Sequence, residues 1–371
     1  MSTTRPIHQL VHTLSYGDAI STEVLGLQRA LRALGRESEI FSIHEHPRLK
    51  GRSTHYSALS AASGPHAGAA DLILHYSLGS PLNALYTQWN RGRRVLIYHN
   101  VTPSKWYAGI NQRVAADIEQ GLSELPALCG LSDALWADSD FNARELGQIG
   151  YQASVLDLSV DPERWEAPRN EGIFSLVRGS PGIHLLHVGR IAPNKCIEDI
   201  IKAFYFLNRF IQKESRLWLV GIDTDTELYS FALRRLVAAL GVEHAVEFAG
   251  CLADEEVRSL YEACSVYMCM SEHEGFCLPI IEAMHFGMPV IGYDAGALAQ
   301  TIGTGGIVVK DKKPAHLAHL VAELATETSL RQELVARGKE RVKQFHFDAF
   351  SQRVKHLVSL IDDSVSTRHA V

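Results

Sequence analysis

Two acids, Glu274 and Glu282, stand eight residues apart in the run Ser271-Glu272-His273-Glu274-Gly275-Phe276-Cys277-Leu278-Pro279-Ile280-Ile281-Glu282-Ala283-Met284. The run follows the apolar stretch Val266–Met270, which reads as a buried strand. Pro279 reads as the first residue of a helix, because its missing N–H would have no partner there in any case. The amides of Phe276, Cys277 and Leu278 then form an open donor set at a helix start, which attracts phosphate or sugar oxygens. Glu274 in the loop and Glu282 one turn into the helix add two acceptors on the same side. Such a set suits a ligand with two hydroxyl-rich ends joined by a diphosphate, as in a nucleotide sugar, with one acid for each end. Alone, the two acids favour a ligand only slightly over an ordinary loop acid and an exposed helix residue. The Gly-Phe-x-x-Pro context between them favours the ligand.

A second set is His187-Val188-Gly189-Arg190-Ile191-Ala192-Pro193-Asn194-Lys195. Arg190 and Lys195 bracket a turn made by Pro193 and Asn194, directly after a strand. Two fixed cations there can hold a diphosphate and stabilise the charge it gains as a bond to it breaks, with no metal required. A solvated turn with two surface cations is the plain alternative.

Such residues need a scaffold, and the rest of the chain supplies its rhythm. Short apolar runs alternate with longer periodic segments, as in βαβ units with a parallel sheet. Strands are expected at Ile7–Leu14, Ile40–Ile43, Leu72–Tyr76, Val95–His99, Leu135–Asp138 and Ser154–Leu158. The rhythm restarts with Ile183–Val188, Leu217–Val220, Val246–Phe248, Val266–Met270, Val290–Tyr293 and Ile307–Val309. Val24, Leu27, Leu31 and Leu34 recur at helical spacing, with Ser21 or Thr22 as cap and Gly35 as stop. Helices are also expected from Glu198 to about Lys213, from Asp254 to Ala263, and from Phe347 to about Ile361. Asp161 to Gly182 reads as a linker. The domain expectation is 1–165 plus 347–371 for the first and 166–346 for the second. Ligands of doubly wound sheets bind at the carboxyl ends of the strands.

At 371 residues the chain is long for one α/β core and suits two. A formal net charge of −6 argues against a nucleic-acid binder, which needs a basic surface. Cys129, Cys196, Cys251, Cys264, Cys269 and Cys277 contain no C-x-x-C pair and no zinc pattern, so reduced thiols and the cytosol are expected, with no metal site. Met1 to Leu10 lacks the apolar core of a signal peptide, and no apolar run approaches a membrane span.

The spacing Gly-Arg-x-x-x-x-Lys after a strand, then Glu-Gly-Phe-x-x-Pro-x-x-Glu-Ala, resembles the retaining glycosyltransferases of family 4. Asp161-Pro162 and Gly287-x-Pro289-Val290-Ile291 fit as well. The resemblance implies the GT-B fold: α/β, two Rossmann-like domains facing a central cleft, with a C-terminal helix crossing back to the first domain. It implies that Arg190 and Lys195 bind the donor diphosphate, that Glu274 with the amides of Gly275, Phe276, Cys277 and Leu278 binds the transferred sugar, and that Glu282 binds the ribose. Gly17 and Asp18, in the turn after the first strand, would lie against the donor phosphate and the acceptor. His99 would contact the donor sugar near the reacting carbon, and the backbone at Gly250 and Leu252 would meet the base. Catalytic roles thus fall on His99, Glu274, Arg190 and Lys195. The family commonly has Gly where this chain has Cys196 and Cys277, and an acid where it has Gln300. Asp223-Thr224-Asp225 reads as D-x-D, a metal motif of the other major glycosyltransferase fold, but falls in a family loop and is taken as structural.

The implied reaction is retaining transfer without cofactor or metal. Tyr98-His99-Asn100-Val101-Thr102-Pro103 and His75-Tyr76-Ser77-Leu78-Gly79-Ser80 resemble bacterial polysaccharide-assembly members, which favours GDP-mannose as donor and a glycan or lipid-linked glycan as acceptor. A UDP-hexose transferase and a non-catalytic sugar-nucleotide binder of the same fold stay open. The expected location is cytoplasmic. Peripheral contact with a membrane through Arg91, Arg93, Arg94 and Lys105-Trp106-Tyr107 is weighed against scattered surface charge.

Overall fold

The computed structural model describes residues 5–60, 68–160, 162–166 and 168–368. Asp161 lies outside them, as do Met1 to Thr4. Two units divide the chain: Met1–Pro103, Ala116–Ser159 and His346–Val371 in the first, Ser104–Ala115 and Val160–Phe345 in the second.

The first unit is built on a sheet of β1 (Ile7–Leu14), β2 (Ile40–Glu45), β3 (Thr54–His55), β4 (Asp71–Tyr76), β5 (Arg94–Tyr98), β6 (Ala134–Ala137) and β7 (Ser154–Val155), ordered β3-β2-β1-β4-β5-β6-β7. Every pairing is parallel, for example Leu74 with Leu96 and Leu96 with Leu135. All six residues of β4 are buried, which fits strands covered on both faces and explains their nearly unbroken apolar runs. β3 escaped the sequence because its two residues are exposed and polar.

The helix Ala19–Ala33 buries Val24, Leu27 and Leu31 as its spacing requires. Its cap is Asp18, not Ser21 or Thr22: Oδ2 accepts from Ser21 N at 3.0 Å, filling one of the free amides of the first turn. The final helix runs Phe347–Arg368, longer than expected, and puts Phe350, Val354 and Leu357 into the core of the first unit with Leu31, Val95 and Trp136.

The second unit has β8 (His184–Val188), β9 (Arg216–Val220), β10 (Val246–Gly250), β11 (Val266–Cys269), β12 (Val290–Tyr293) and β13 (Ile307–Val309), ordered β10-β9-β8-β11-β12-β13 and parallel throughout. The expected linker instead carries two short helices, Pro162–Glu166 and Glu171–Gly179. The second is capped by Asn170, whose Oδ1 accepts from Ile173 N at 3.1 Å. The segment expected to be helical to Lys213 is α-helical over Ile197–Phe206 and widens into a π-turn over Leu207–Ile211.

Candidate functional site

In a sheet of this order the switch point lies where the chain, having added strands on one side of its first strand, begins on the other. In the second unit that is between β8 and β11, and both sequence motifs leave from these two strands. The turn after β8 and the loop after β11 are tied together. Glu272 N donates to Asn194 O at 2.9 Å, and Asn194 Nδ2 donates to His273 O at 3.0 Å. Lys195 Nζ then reaches both oxygens of Glu274 at 2.8 Å. Burial alone would raise the Glu274 pKa, but the ammonium outweighs it and holds the carboxyl below its usual range. Burial would likewise lower Lys195, and Glu274 keeps it raised. The pair is fully ionised at neutral pH.

Gly296 lets the loop take this path. Its φ is +57°, and a Cβ there would stand 2.5 Å from Glu274 O. Sequence reasoning missed it, because the approach joins segments far apart in the chain. Ala297 N donates to Glu274 O at 2.9 Å and Thr301 Oγ1 to Phe276 O at 2.7 Å, fixing the loop's other edge. The helix runs Leu278–His285, so Leu278 is its first residue and Pro279 its second, one place later than expected. Cys277, at the cap, has φ +78°, and Cys196 after the Lys195 turn has φ +48°. Both cysteines occupy conformations that glycine adopts without strain.

Arg190 leaves β8 with its side chain 38% exposed. Nη2 donates to Thr224 O at 2.5 Å, while Nε is buried and makes no hydrogen bond. Beside it a cavity of about 230 Å³ opens among the ends of β8, β9 and β10, lined by Ile191, Asp223, Thr224, Phe248, Gly250 and Cys251. Gly250 falls in its wall; Leu252 does not line it.

Residues 169–341 match the family model described as glycosyl transferases group 1. They carry Arg190, Lys195, Glu274 and Glu282 together. Over this segment, somewhat less than half of the chain, the sequence is similar to that family. The chain is 28% identical over 167 residues to the O-antigen chain mannosyltransferase B of Escherichia coli, covering 44% of this chain and 42% of that one. It is 29% identical over 136 residues to a GDP-mannose:cellobiosyl-diphosphopolyprenol alpha-mannosyltransferase of Xanthomonas oryzae, covering 36% and 35%. The chain spans less than half the length of the first curated relatives it matches. The sucrose-phosphate synthase of Thermosynechococcus elongatus superposes with a TM-score of 0.76 at 19% identity, over 97% of this chain and 100% of that one. The fold is GT-B: two Rossmann-like parallel-sheet units.

Within the matched segment Glu282 is enclosed by protein partners. It is 3% exposed, with Oε1 2.6 Å from Arg164 Nη1 and Oε2 accepting from Tyr261 Oη at 2.9 Å. Arg164 also meets Asp254 at 2.7 Å. In the D-x-D stretch the Asp225 carboxylate, at φ +66°, pairs with Arg113 at 2.9 Å, and the backbone carbonyl of Asp223 accepts from Thr226 N at 2.8 Å.

Outside the matched segment, the switch region of the first unit encloses His99. Its side chain is 0% exposed and both ring nitrogens are taken. Nδ1 lies 3.1 Å from Asp138 Oδ2 and 3.2 Å from Glu23 Oε2, and one N–H cannot serve both; the hydrogen-bond angle favours Asp138. Glu23 is left without a hydrogen bond of good geometry. His75 Nε2 donates to Gln9 Oε1 at 2.8 Å, so His75 Nδ1 must accept from His99 Nε2–H, also at 2.8 Å. His99 is therefore an imidazolium. Burial opposes this, but Asp138 and then Glu23 carry its pKa up to about 9. Burial raises Glu23 to about 8, so it is neutral. The ring joins β4, β5 and β6.

Gly17 keeps its left-handed turn at φ +76°, with open space where a Cβ would be. The Asp18 carboxylate is spent on the cap. Arg93 is also structural: it pairs with Asp71 at 2.5 Å and Asp362 at 2.9 Å and donates to Ile361 O. It precedes β5, at the opposite sheet edge from strand carboxyl ends. Lys105 to Tyr107 belong to the second unit.

Among the described residues three clusters have metal-ligand composition: Glu23-His75-His99, Cys196-Asp199-Glu272 and Cys269-Glu274-Cys277. The first is filled by its own protons. In the second, Lys312 Nζ already sits 3.1 Å from Asp199 and 2.8 Å from Glu272.

Proposed function

We propose that the chain is a retaining glycosyltransferase that takes a hexose from a nucleotide-diphosphate sugar, GDP-mannose ahead of UDP-hexoses, and places it on a glycan or lipid-linked glycan. The observation that carries this reading is the convergence at one switch point of Arg190, the Lys195–Glu274 pair and the amide end of the helix Leu278–His285. In this reading the donor base enters the cavity beside Gly250. The diphosphate lies against Arg190 and Lys195, and the sugar hydroxyls meet Glu274 and the loop amides of Gly275, Phe276 and Cys277. Glu282 offers the ribose only the lone pairs that Arg164 and Tyr261 leave.

As the bond between sugar carbon and phosphate oxygen breaks, negative charge grows on the diphosphate. The two cations and the amides oppose it with no reorganisation, because they are held in place beforehand. The acceptor hydroxyl attacks from the same face, and its proton goes to the departing phosphate oxygen. Neither switch region offers a carboxylate nucleophile: Glu274 is paired with Lys195, and Glu23 is buried and neutral. A covalent intermediate has no evident seat. The mannosyl donor is favoured by the relatives from Escherichia coli and Xanthomonas oryzae, whose names state mannosyl transfer. Metal independence rests on the cations already standing where a divalent ion would otherwise serve.

Among the described residues no helix is long and apolar enough to cross a membrane. Membrane contact through Arg93 is set aside by its pairing with Asp71 and Asp362.

The test is nucleotide release from a panel of nucleotide sugars by the purified protein beside Glu274→Ala. Release confined to one donor in the wild type, and lost in the variant, supports the reading. Binding of donor with no release would make the chain a sugar-nucleotide binder, and an inverted product anomer by proton NMR would require a different base.

A further inference from the structure

We propose that Cys269, Cys277 and Glu274 form a binding site for a thiophilic divalent cation such as Zn²⁺, which inhibits by engaging the acid of the donor loop. The site goes beyond the transferase reading; only its inhibitory consequence rests on that reading. Cys269 ends β11 and Cys277 caps the next helix, so the loop between them folds back and brings the two sulfurs to 3.9 Å. Cys269 Sγ is also 3.9 Å from Glu274 Oε1, and the three ligand atoms lie within 4.8 Å of one another.

These separations are those of ligands around one ion. Two thiolates bound to tetrahedral zinc at ~2.3 Å stand ~3.8 Å apart, and a thiolate and a carboxylate oxygen ~3.6 Å. The Cys269–Cys277 and Cys269–Glu274 separations therefore fit an ion with shifts of a few tenths of an ångström. A disulfide would need the sulfurs to approach to ~2.0 Å, a far larger movement. The spacing of eight positions, with a strand end and a helix cap between, matches no C-x-x-C pattern, so the sequence conceals it.

Two further observations point the same way. Cys277 holds a left-handed φ of +78°, a conformation in which a side chain costs about 1–3 kcal/mol unless something is gained by it. It is also partly exposed, which gives an ion a way in, whereas Cys269 is buried. Close by, His187 is buried and neutral, with Nδ1 donating to Met268 O at 3.0 Å and Nε2 without a hydrogen bond.

Binding exchanges thiol protons for the ion and releases them to solvent, so affinity rises with pH. The ion draws on Glu274 Oε1, one of the two oxygens that Lys195 contacts, and so competes with that cation and with sugar hydroxyls for the same carboxylate.

The experiment uses the full chain, reduced and stripped of metal, titrated with Zn²⁺ against a chromophoric zinc indicator. Co²⁺ in place of zinc gives thiolate charge-transfer absorption as a second readout. One equivalent should bind, and Cys277→Gly and Cys269→Ala should each weaken binding about 100-fold and abolish the charge-transfer band. Cys277→Gly should fold, since glycine accepts the local φ. Cys251→Ser, at the exposed thiol, should bind as the wild type does. Equal binding by the two site variants, loss of binding with Cys251→Ser, or no uptake by the wild type would each overturn the site. Zinc should slow nucleotide release by the wild type, with recovery on adding a chelator. If no nucleotide is ever released the transferase reading fails while the zinc titration still stands.

Discussion

At the switch point of the first sheet, between β1 and β4, His75 and His99 are closed in by Gln9, Glu23 and Asp138, and the His99 side chain has no exposed surface. At the matching place in the second sheet, between β8 and β11, Lys195 and Glu274 also pair, but Arg190 keeps 38% of its side chain exposed and a cavity opens beside it. The topology is alike and the chemistry is opposite. In the first unit charge is consumed internally: an imidazolium is balanced by Asp138, with a neutral Glu23 alongside. In the second a cation and the amide end of a helix remain for an outside anion. Strand order selects where a site can form; the count of unspent charges decides whether one does.

Arg190→Ala gives the sharpest test of that contrast. Removing one fixed donor from the diphosphate position should cut kcat/KM for nucleotide release by about 10²–10³-fold. Stability should hardly change, because the 3.8 Å contact with Asp225 is an exposed pair worth less than ~1 kcal/mol. An equal loss of melting temperature and activity would show Arg190 to be structural, and the contrast would collapse.

The two units should also respond to pH in opposite directions. His99 has a folded pKa near 9, above its usual 6.5, so its stabilisation is complete below pH 6.5 and is lost as pH rises through 9. Glu23 is raised to about 8 and acts with the same sign, from its usual 4.5 upward. The shift at His99 corresponds to something on the order of 3 kcal/mol. Glu274 is held low, so its contribution is present above 4.5 and is lost as pH falls through its folded value; Lys195, raised, does not titrate in this range. Peptide-resolved hydrogen exchange, corrected for intrinsic rates, should show β1, β4 and β5 losing protection between pH 6.5 and 9 while β8 and β11 hold theirs. Asp138→Asn should flatten the response of the first unit. Uniform loss of protection across both sheets would break the comparison.

Glu282→Gln tests a charge that the second unit spends on itself. The amide can keep the bond from Tyr261 but leaves Arg164 with Asp254 alone, in a site where the arginine is almost wholly enclosed. Losing one side of a buried pair costs ~3–5 kcal/mol; with Asp254 still in place, about 2–3 kcal/mol in chemical denaturation is expected. If instead the donor KM rises with stability unchanged, Glu282 is chiefly a ribose ligand.

How far the sequence reveals each region follows from the same contrast. Strand positions were legible almost throughout, because parallel strands buried on both faces are apolar runs; only β3, exposed at Thr54 and His55, left no trace. Arg190, Lys195 and Glu274 were legible because their spacing along the chain reflects one strand-to-turn geometry each. The enclosure of His99 was not legible: its partners Glu23, His75 and Asp138 come from three different segments, and no local pattern shows that together they surround the ring. The cap at Asp18 was not legible either, since an Asp before a helix caps it or faces a ligand with the same local sequence. Gly296 and the Cys269–Cys277 pair depend on approaches between segments, which spacing does not encode.

The smallest effect belongs to the motif that looks most like a metal site. Asp223 borders the cavity beside Arg190, and Asp225 already pairs with Arg113 at 2.9 Å and lies 3.8 Å from Arg190. A divalent ion there would compete with two guanidinium groups for a single carboxylate. Asp223→Asn with Asp225→Asn should therefore leave nucleotide release within about twofold of the wild type, the size of change expected from loosening exposed pairs. A chelator should not lower the activity of either protein. If it does, and added Mg²⁺ or Mn²⁺ restores it only where the two acids are intact, the leaving diphosphate is neutralised by a metal, and Arg190 and Lys195 hold the donor without carrying the reaction.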